Sequence, residues 1–435
     1  GVTNWFKDLR TEMYAGIYEQ PIYEKNQYLS ELPAEGWLAR EAQRRGMNIQ
    51  KLTERGLLTA PPPNSPPPPA AATPGGRPPP PGRPLPHHPR LQNPNGRRMY
   101  AAVLRAPGPV EKQPLDYSEV PEPVPGPGEV AISVLACGVC RSNLHMIEGD
   151  WLPGTPAALP IIPGHEVVGR VKALGPGVDN LTVGDRIGVQ PIWSTCGGCE
   201  HCISGHEQRC RQRQITGETR DGGYAEVMLA KANFACKIPD SLSDTEAAPL
   251  LCPGITAYGA VKKALLRPGQ SVAVFGVGGV GHLALQMAGL TGAHVNAVSR
   301  SVKARTLAEQ LGARGAYVPT GSEGGLVLRD GSQDVAIVCA PSDHAVAEAL
   351  RVIKPGGRVV LGVAQSVGLM DIGDEKTVVG TVLGTRQDMA DVLNLAVDGK
   401  LHAVHEDFPL SEANRALQRL KTGQLHGRAV LVPGA

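Results

Sequence analysis

Residues 271–288, SVAVFGVGGVGHLALQMA, constrain this 435-residue chain more than any other stretch. A short apolar run meets a glycine-rich turn, and an apolar helical pattern follows directly. Gly276, Gly278 and Gly281 hold the G-x-G-x-x-G positions, with Gly279 beside them. In that setting the first glycine permits a tight turn, the second lets a pyrophosphate approach the backbone, and the third lets helix and strand pack closely. The helix N-terminus then faces the phosphates. Ser271–Gly276, His294–Ser299, Val335–Cys339 and Arg358–Val363 read as buried strands with helical stretches between them. That alternation predicts a doubly wound parallel sheet over 255–386.

The strand after the turn bears on the cofactor. A site for the unphosphorylated dinucleotide usually ends it with Asp or Glu on the ribose 2′-hydroxyl. Here HVNAV runs into Ser299-Arg300-Ser301. No carboxylate repels a 2′-phosphate; Arg300 can pair with one and Ser299 and Ser301 can hydrogen-bond it. NADP(H) is therefore favoured, with NAD(H) kept open. Lys303 and Arg305 lie in the same basic stretch.

Residues 99–254 alternate short strand-like runs, such as 100–104 and 130–136, with Gly and Pro punctuation. A final strand near Gly427–Val432 returns to this part, so 387–435 is grouped with it. Residues 61–98 hold 16 of the 40 prolines, five arginines and no acid, the composition of an extended linker. Residues 1–60 carry Trp5, Phe6, four tyrosines and Trp37 ahead of a helix-like stretch at 38–58. They read either as an appended module that docks a protein partner or as a loosely structured arm.

The cysteines point to metal. Cys196, Cys199, Cys202 and Cys210 form C-x2-C-x2-C-x7-C. Four thiolates so spaced can close a tetrahedron around one Zn²⁺, leaving no position for a substrate. Such a site staples a loop; His201 and His206 inside it read as bystanders. Three further candidates lie outside it: Cys140 in CGVCRSNLH, His165 in IPGHEVVG and Cys252 in APLLCPGITAY. Singly, each could be an ordinary core residue. Together they offer two thiolates and an imidazole with a fourth position open.

From residue 99 onward the chain resembles the zinc-containing medium-chain alcohol dehydrogenases, and most closely their prokaryotic primary-alcohol branch. The matching stretches are CGVCRSNLH, GDW, IPGHEVVGRV, GPGV, VGDR, CGGCEHC, DGGYAE, EAAPLLC and GVGGVG, in the family's order. The resemblance implies a GroES-like, β-rich catalytic domain beside a Rossmann domain in an α/β chain. It implies one catalytic zinc on Cys140, His165 and Cys252, the ligand set known for this family as a whole, and one structural zinc on the cysteine cluster. Glu166 matches an acid beside the metal. Ser142 matches the hydroxyl that touches the substrate oxygen and His145 the outer end of a proton relay. Trp151 matches a substrate-pocket aromatic, and Arg386, in GTRQD, a residue near the cofactor. The implied reaction is hydride transfer between NADP(H) and a primary alcohol or aldehyde. A polyol or threonine-type dehydrogenase and a non-catalytic zinc- and nucleotide-binding redox sensor are the alternatives. One departure stands out: Asn143 occupies the place of an Asp that normally orients the ligand histidine. Loss of that charge should attenuate metal affinity or rate by about 10–100-fold.

The balance of 43 basic and 41 acidic residues gives no nucleic-acid footprint, and the cysteine cluster lacks the paired histidines and basic stripe of a nucleic-acid-binding finger. No run approaches the ~20 apolar residues of a membrane helix, and the start lacks a signal-peptide core. The expectations are thus a cytoplasmic enzyme, no nucleic acid, no membrane, a small-molecule alcohol or aldehyde substrate, and a homodimer or homotetramer as in the family.

Overall fold

The computed structural model describes residues 96–150 and 158–434. The expectations for residues 1–60, for the proline-rich stretch up to residue 95 and for Trp151 lie outside the described residues.

Chain order begins with nine strands: β1 (Arg98–Leu104), β2 (Leu115–Pro121), β3 (Glu129–Gly138), β4 (Val167–Leu174), β5 (Arg186–Val189), β6 (Ile192–Ser194), β7 (Gln214–Ile215), β8 (Val227–Lys231) and β9 (Cys236–Lys237). Six follow in strand–helix alternation: β10 (Ser271–Phe275), β11 (His294–Val298), β12 (Gly315–Tyr317), β13 (Gln333–Val338), β14 (Ile353–Leu361) and β15 (Thr377–Gly380). The tail adds β16 (His405–Pro409) and β17 (Arg428–Val432).

The six middle strands form one parallel sheet in the order β12-β11-β10-β13-β14-β15. The order reverses between β10 and β13, which is where doubly wound sheets open a ligand crevice at the strands' carboxyl ends. Both faces are covered. Val272 and Val274 of β10 point into one core with Leu285 and Ala288 of the helix Gly281–Leu290 and with Ala260 and Ala264 of the helix Pro253–Ala264. Ala273 and Phe275 point the opposite way, against Val346, Ala349 and Val352 of the helix Asp343–Val352. Burial on both faces explains why these strands read as apolar runs without alternation. The two strands that the apolar pattern missed, β12 and β15, are the sheet's edges, short and only partly buried.

The other main sheet runs β16-β17-β3-β4-β5-β9, with β8 paired to β3. The tail therefore contributes two strands beside β3, and Ala429 and Leu431 share a core with Ile132, Val134 and Tyr224. Cys137, Cys236 and Cys339 are free thiols in no disulfide; Cys137 is fully buried in this core and the other two are half-buried.

One ion pair staples the outer face of the parallel sheet. Glu348 accepts from Arg351 Nε and Nη2 at 2.9 Å each, from Thr320 N at 3.0 Å and from Thr320 Oγ1 at 2.7 Å. Burial alone would raise its pKa, but hydrogen bonds from Arg351 and Thr320 override this and bring it to about 2. A folded-state value below the ordinary 4.5 stabilises above pH 4.5, and the contribution fades as pH falls towards 2. Glu348→Gln should cost about 1–3 kcal/mol at neutral pH. The gap from the parent chain should close on acidification, as read by thermal unfolding against pH; a gap constant from pH 7 to 3 would contradict this.

Candidate metal and cofactor site

Three separate pieces of chain bring the candidate metal-binding side chains together. Cys140 lies just after β3 and caps the helix Arg141–Glu148. His165 lies two residues before β4, and Cys252 caps the helix Pro253–Ala264. Both sulfurs thus sit at helix N-termini, whose partial positive charge favours thiolate. One ligand atom each from Cys140, His165, Glu166 and Cys252 falls within 4.8 Å of the others. The two sulfurs are 3.8 Å apart. A tetrahedron with bonds of about 2.3 Å has a sulfur–sulfur edge of about 3.8 Å, so the donor set fits zinc. With no metal, the hydrogen bond from Cys252 holds the Cys140 thiol well below the usual range, helped by Arg428 and His165. The same hydrogen bond and burial push Cys252 up. A divalent cation bound by these side chains would replace that shared proton.

The second cluster has the same metrics. Cys196, Cys199, Cys202 and Cys210 meet within 4.8 Å, with sulfur separations of 3.5–3.8 Å. The lobe has little core: Cys196 is exposed, and its helix, Glu200–Ile203, has no buried residue. His201 leans towards Glu200, and His206 hydrogen-bonds Ser204 at 3.2 Å. The lobe is tied down partly by Arg386, which makes two hydrogen bonds to the Glu207 carboxylate and one to Asn233 O. Arg386, expected near the cofactor, is bonded here to the cysteine lobe.

Around His165 the polar groups are ordered. Ser142 Oγ lies 3.5 Å from Nε2, and the Asn143 amide nitrogen 3.5 Å from Nδ1. Asn143 is fully buried, and its Oδ1 has no partner among the described residues. Turning that amide over would let Oδ1 accept from Nδ1–H and leave the Nε2 lone pair for a metal. His145 reaches outward to Asp150 Oδ1 at 2.9 Å.

Glu166, whose carboxylate lies within 4.8 Å of those donors, enters a buried ion pair with Arg428 at the head of β17, through Nε at 3.1 Å and through Nη2. Burial pushes Glu166 up to about 7 against the pull of Arg428. Gly138 leaves the space for this carboxylate, since a methyl there would overlap Glu166 Oε2. Sequence reasoning missed Arg428; its trace was a lone cation inside the apolar run RAVLV.

Arg428 also reaches the dinucleotide turn. A Cβ on Gly279 would overlap its Nη1. The neighbouring glycines have distinct reasons. Gly276 has φ +87°, and a Cβ would meet Ala340 at 2.9 Å. One on Gly281 would strike Gly276 O, while Gly278 faces open space. His282, the next residue, donates from Nδ1 to Gly278 O at 2.9 Å and accepts at Nε2 from Val404 N at 3.1 Å, with burial lowering its pKa to about 4. At the end of β11, Arg305 holds Ser299 O and Arg300 O at 2.8 and 2.9 Å. Ser301 caps the following helix. Arg300 itself is exposed, and its guanidinium makes no hydrogen bond or ion pair among the described residues.

Comparison with known proteins decides the family. Residues 126–240 match the alcohol dehydrogenase GroES-like domain and residues 279–398 the zinc-binding dehydrogenase domain. An alcohol dehydrogenase of Geobacillus stearothermophilus is 40% identical over 327 residues, 74% of this chain and 96% of that protein. The chain belongs to the zinc-containing medium-chain alcohol dehydrogenases. Another member, from Moraxella sp., is 37% identical over 340 residues, 77% of this chain and 99% of that one. The cobalt- and zinc-bound thermostable alcohol dehydrogenase of Pyrobaculum aerophilum superposes with a TM-score of 0.69 at 31% identity, covering 78% of this chain and 100% of that chain. As a medium-chain alcohol dehydrogenase, this protein is an NAD(P)-dependent zinc oxidoreductase with the GroES-like and Rossmann-type domains of its family. Among its described residues no helix is long and apolar enough to cross a membrane.

In this dehydrogenase Gly279 is where the dinucleotide turn and the Glu166–Arg428 pair share space. Gly279→Ala should displace Arg428, costing about 1–3 kcal/mol of stability and weakening nicotinamide cofactor binding. Thermal unfolding and cofactor titration check both; two unchanged values would mean the guanidinium moves aside freely.

Proposed function

We propose that the enzyme interconverts primary alcohols and aldehydes with NADP(H) as the preferred cofactor. Cys140, His165 and Cys252 hold the catalytic zinc, and the four-cysteine lobe holds a structural one. The convergence of those three side chains within 4.8 Å is the observation that carries this reading. Zinc at that position supplies Lewis acidity that polarises the substrate oxygen. Ser142, beside His165, takes the hydroxyl proton and passes it outward towards His145, whose Asp150 contact keeps the ring facing that way. Arg428 holds Glu166 beside the metal position and lies under the turn Gly276–Gly281, which takes the pyrophosphate. Residues 255–386 form the cofactor domain, and 99–254 with 387–435 the catalytic domain.

The cofactor preference rests on Arg300. Arg305 fixes the main chain of Ser299 and Arg300, so the exposed Arg300 guanidinium stays available for a 2′-phosphate with no carboxylate at the strand end. The enzyme assembles as a homodimer or homotetramer. The outer edge of β15 is unpaired among the described residues and carries no proline, and nearby Leu369 and Ile372 are almost wholly exposed. An apolar edge of that kind calls for a covering subunit.

Purified enzyme should oxidise NADPH with an aldehyde. Cys140→Ala should abolish turnover while the zinc content falls by one per chain; retained turnover would refute the ligand assignment. Arg300→Asp should move the NADPH-to-NADH ratio of kcat/KM towards NADH by about 10-fold or more. An unchanged ratio would place 2′-phosphate recognition elsewhere.

A further inference from the structure

A short stretch of the tail, 402–404, is stitched to the helix Gly281–Leu290 by side chains. Gln286 Oε1 accepts from His402 N and Gln286 Nε2 donates to His402 O, both at 2.9 Å. One helical turn earlier, His282 Nε2 accepts from Val404 N at 3.1 Å. The same stretch also meets β17. Arg428 N donates to Val404 O at 2.9 Å, and a methyl on Gly427, which has φ +76°, would strike that carbonyl. The tail is therefore held between the helix that follows the glycine turn and the residue that pairs with Glu166.

His282 is fully buried and bonded at both ring nitrogens. Its Nδ1 lies 2.9 Å from Gly278 O, which also accepts from His282 N at 3.0 Å. A carbonyl only accepts and a main-chain N–H only donates, so these partners fix the ring as the neutral Nδ1–H tautomer. Burial keeps it neutral by the same sign. One residue thus pins the Gly278 carbonyl with two donors. In a planar trans peptide the next N–H runs antiparallel to the carbonyl. Gly279 N–H is therefore turned out of the helix, beside Gly278, whose Cα faces open space. It has no hydrogen-bond partner among the described residues. An orphan N–H at a helix start is the donor that an anionic group takes up.

We propose that His282 is a positioning residue for the cofactor: it locks the Gly278–Gly279 peptide so that Gly279 N–H meets the pyrophosphate, and ties that peptide to the tail that carries Arg428. The proposal rests on the reading of the turn Gly276–Gly281 as the pyrophosphate site and names the side chain that sets its geometry. Without the ring the peptide is free to rotate and the donor is no longer preorganised. Affinity then falls for ligands that carry the diphosphate, and for those alone. Gln286 belongs to the same seam and donates to His282 O, but it makes no bond to the glycine turn. It is the control for a purely structural role.

The test measures Kd for ADP-ribose, which keeps the diphosphate, and for adenosine, which lacks it, by displacement of bound reduced dinucleotide from the full-length zinc-loaded enzyme. His282→Phe should weaken ADP-ribose by about 10-fold and leave adenosine unchanged. His282→Gln, whose amide both donates and accepts, should recover most of that loss. Gln286→Leu should lower the thermal midpoint while both Kd values stay at the parent level. Nitrogen NMR of the parent imidazoles, with His282 assigned by its loss in His282→Gln, should show the Nδ1–H tautomer at neutral pH; this readout stands even if His282→Phe does not fold. An Nε2–H tautomer would overturn the role of His282. So would a folded His282→Phe that binds ADP-ribose like the parent, or that loses ADP-ribose and adenosine in equal proportion. A parent enzyme that binds ADP-ribose no tighter than adenosine would overturn the pyrophosphate reading of the turn as well.

Discussion

Two sulfurs 3.8 Å apart on segments 112 residues distant in sequence are the constraint around which this molecule is arranged. Nothing in a reduced protein favours bringing two thiols and an imidazole to one spot. One thiol must carry the proton that the other lacks, and the ring loses its water. The fold accepts the cost by placing each sulfur at a helix start and the ring in the turn before β4. A divalent cation held there would remove the electrostatic conflict and turn the cluster into a crosslink between the catalytic sheet and the helix Pro253–Ala264, which leads into the parallel sheet.

The second organising element is the buried pair Glu166–Arg428. It joins the residue after His165 to the last strand of the chain, and the same guanidinium packs beneath Gly279. Metal position and dinucleotide turn therefore share one side chain. A buried pair of this kind gains little net stability over apolar packing, but breaking one partner alone leaves an expensive charge. Its value here is positional. His282 adds a second tie, from the glycine turn to the tail at Val404.

Much of this was legible in sequence because it is local. A glycine turn between an apolar strand and an apolar helix has one good structural solution, and four cysteines within fifteen positions can hardly avoid each other. The strands β10, β11, β13 and β14 were visible as apolar runs because both faces are buried. The pattern failed where burial fails, at the short edges β12 and β15. Cys140, His165 and Cys252 were assigned through the family resemblance, since spacing alone does not tell a ligand from a core residue. Arg428 was missed because its partner lies 262 positions away, and Arg386 meets Glu207 across 179 positions.

X-ray absorption at the zinc edge on the intact chain tests the central arrangement most directly. Two ions per chain, one held by four sulfurs and one by two sulfurs and a nitrogen, would average to three sulfurs per zinc, with Zn–S bonds of about 2.3 Å. A single zinc per chain with a pure four-sulfur shell would contradict the shared site of Cys140, His165 and Cys252.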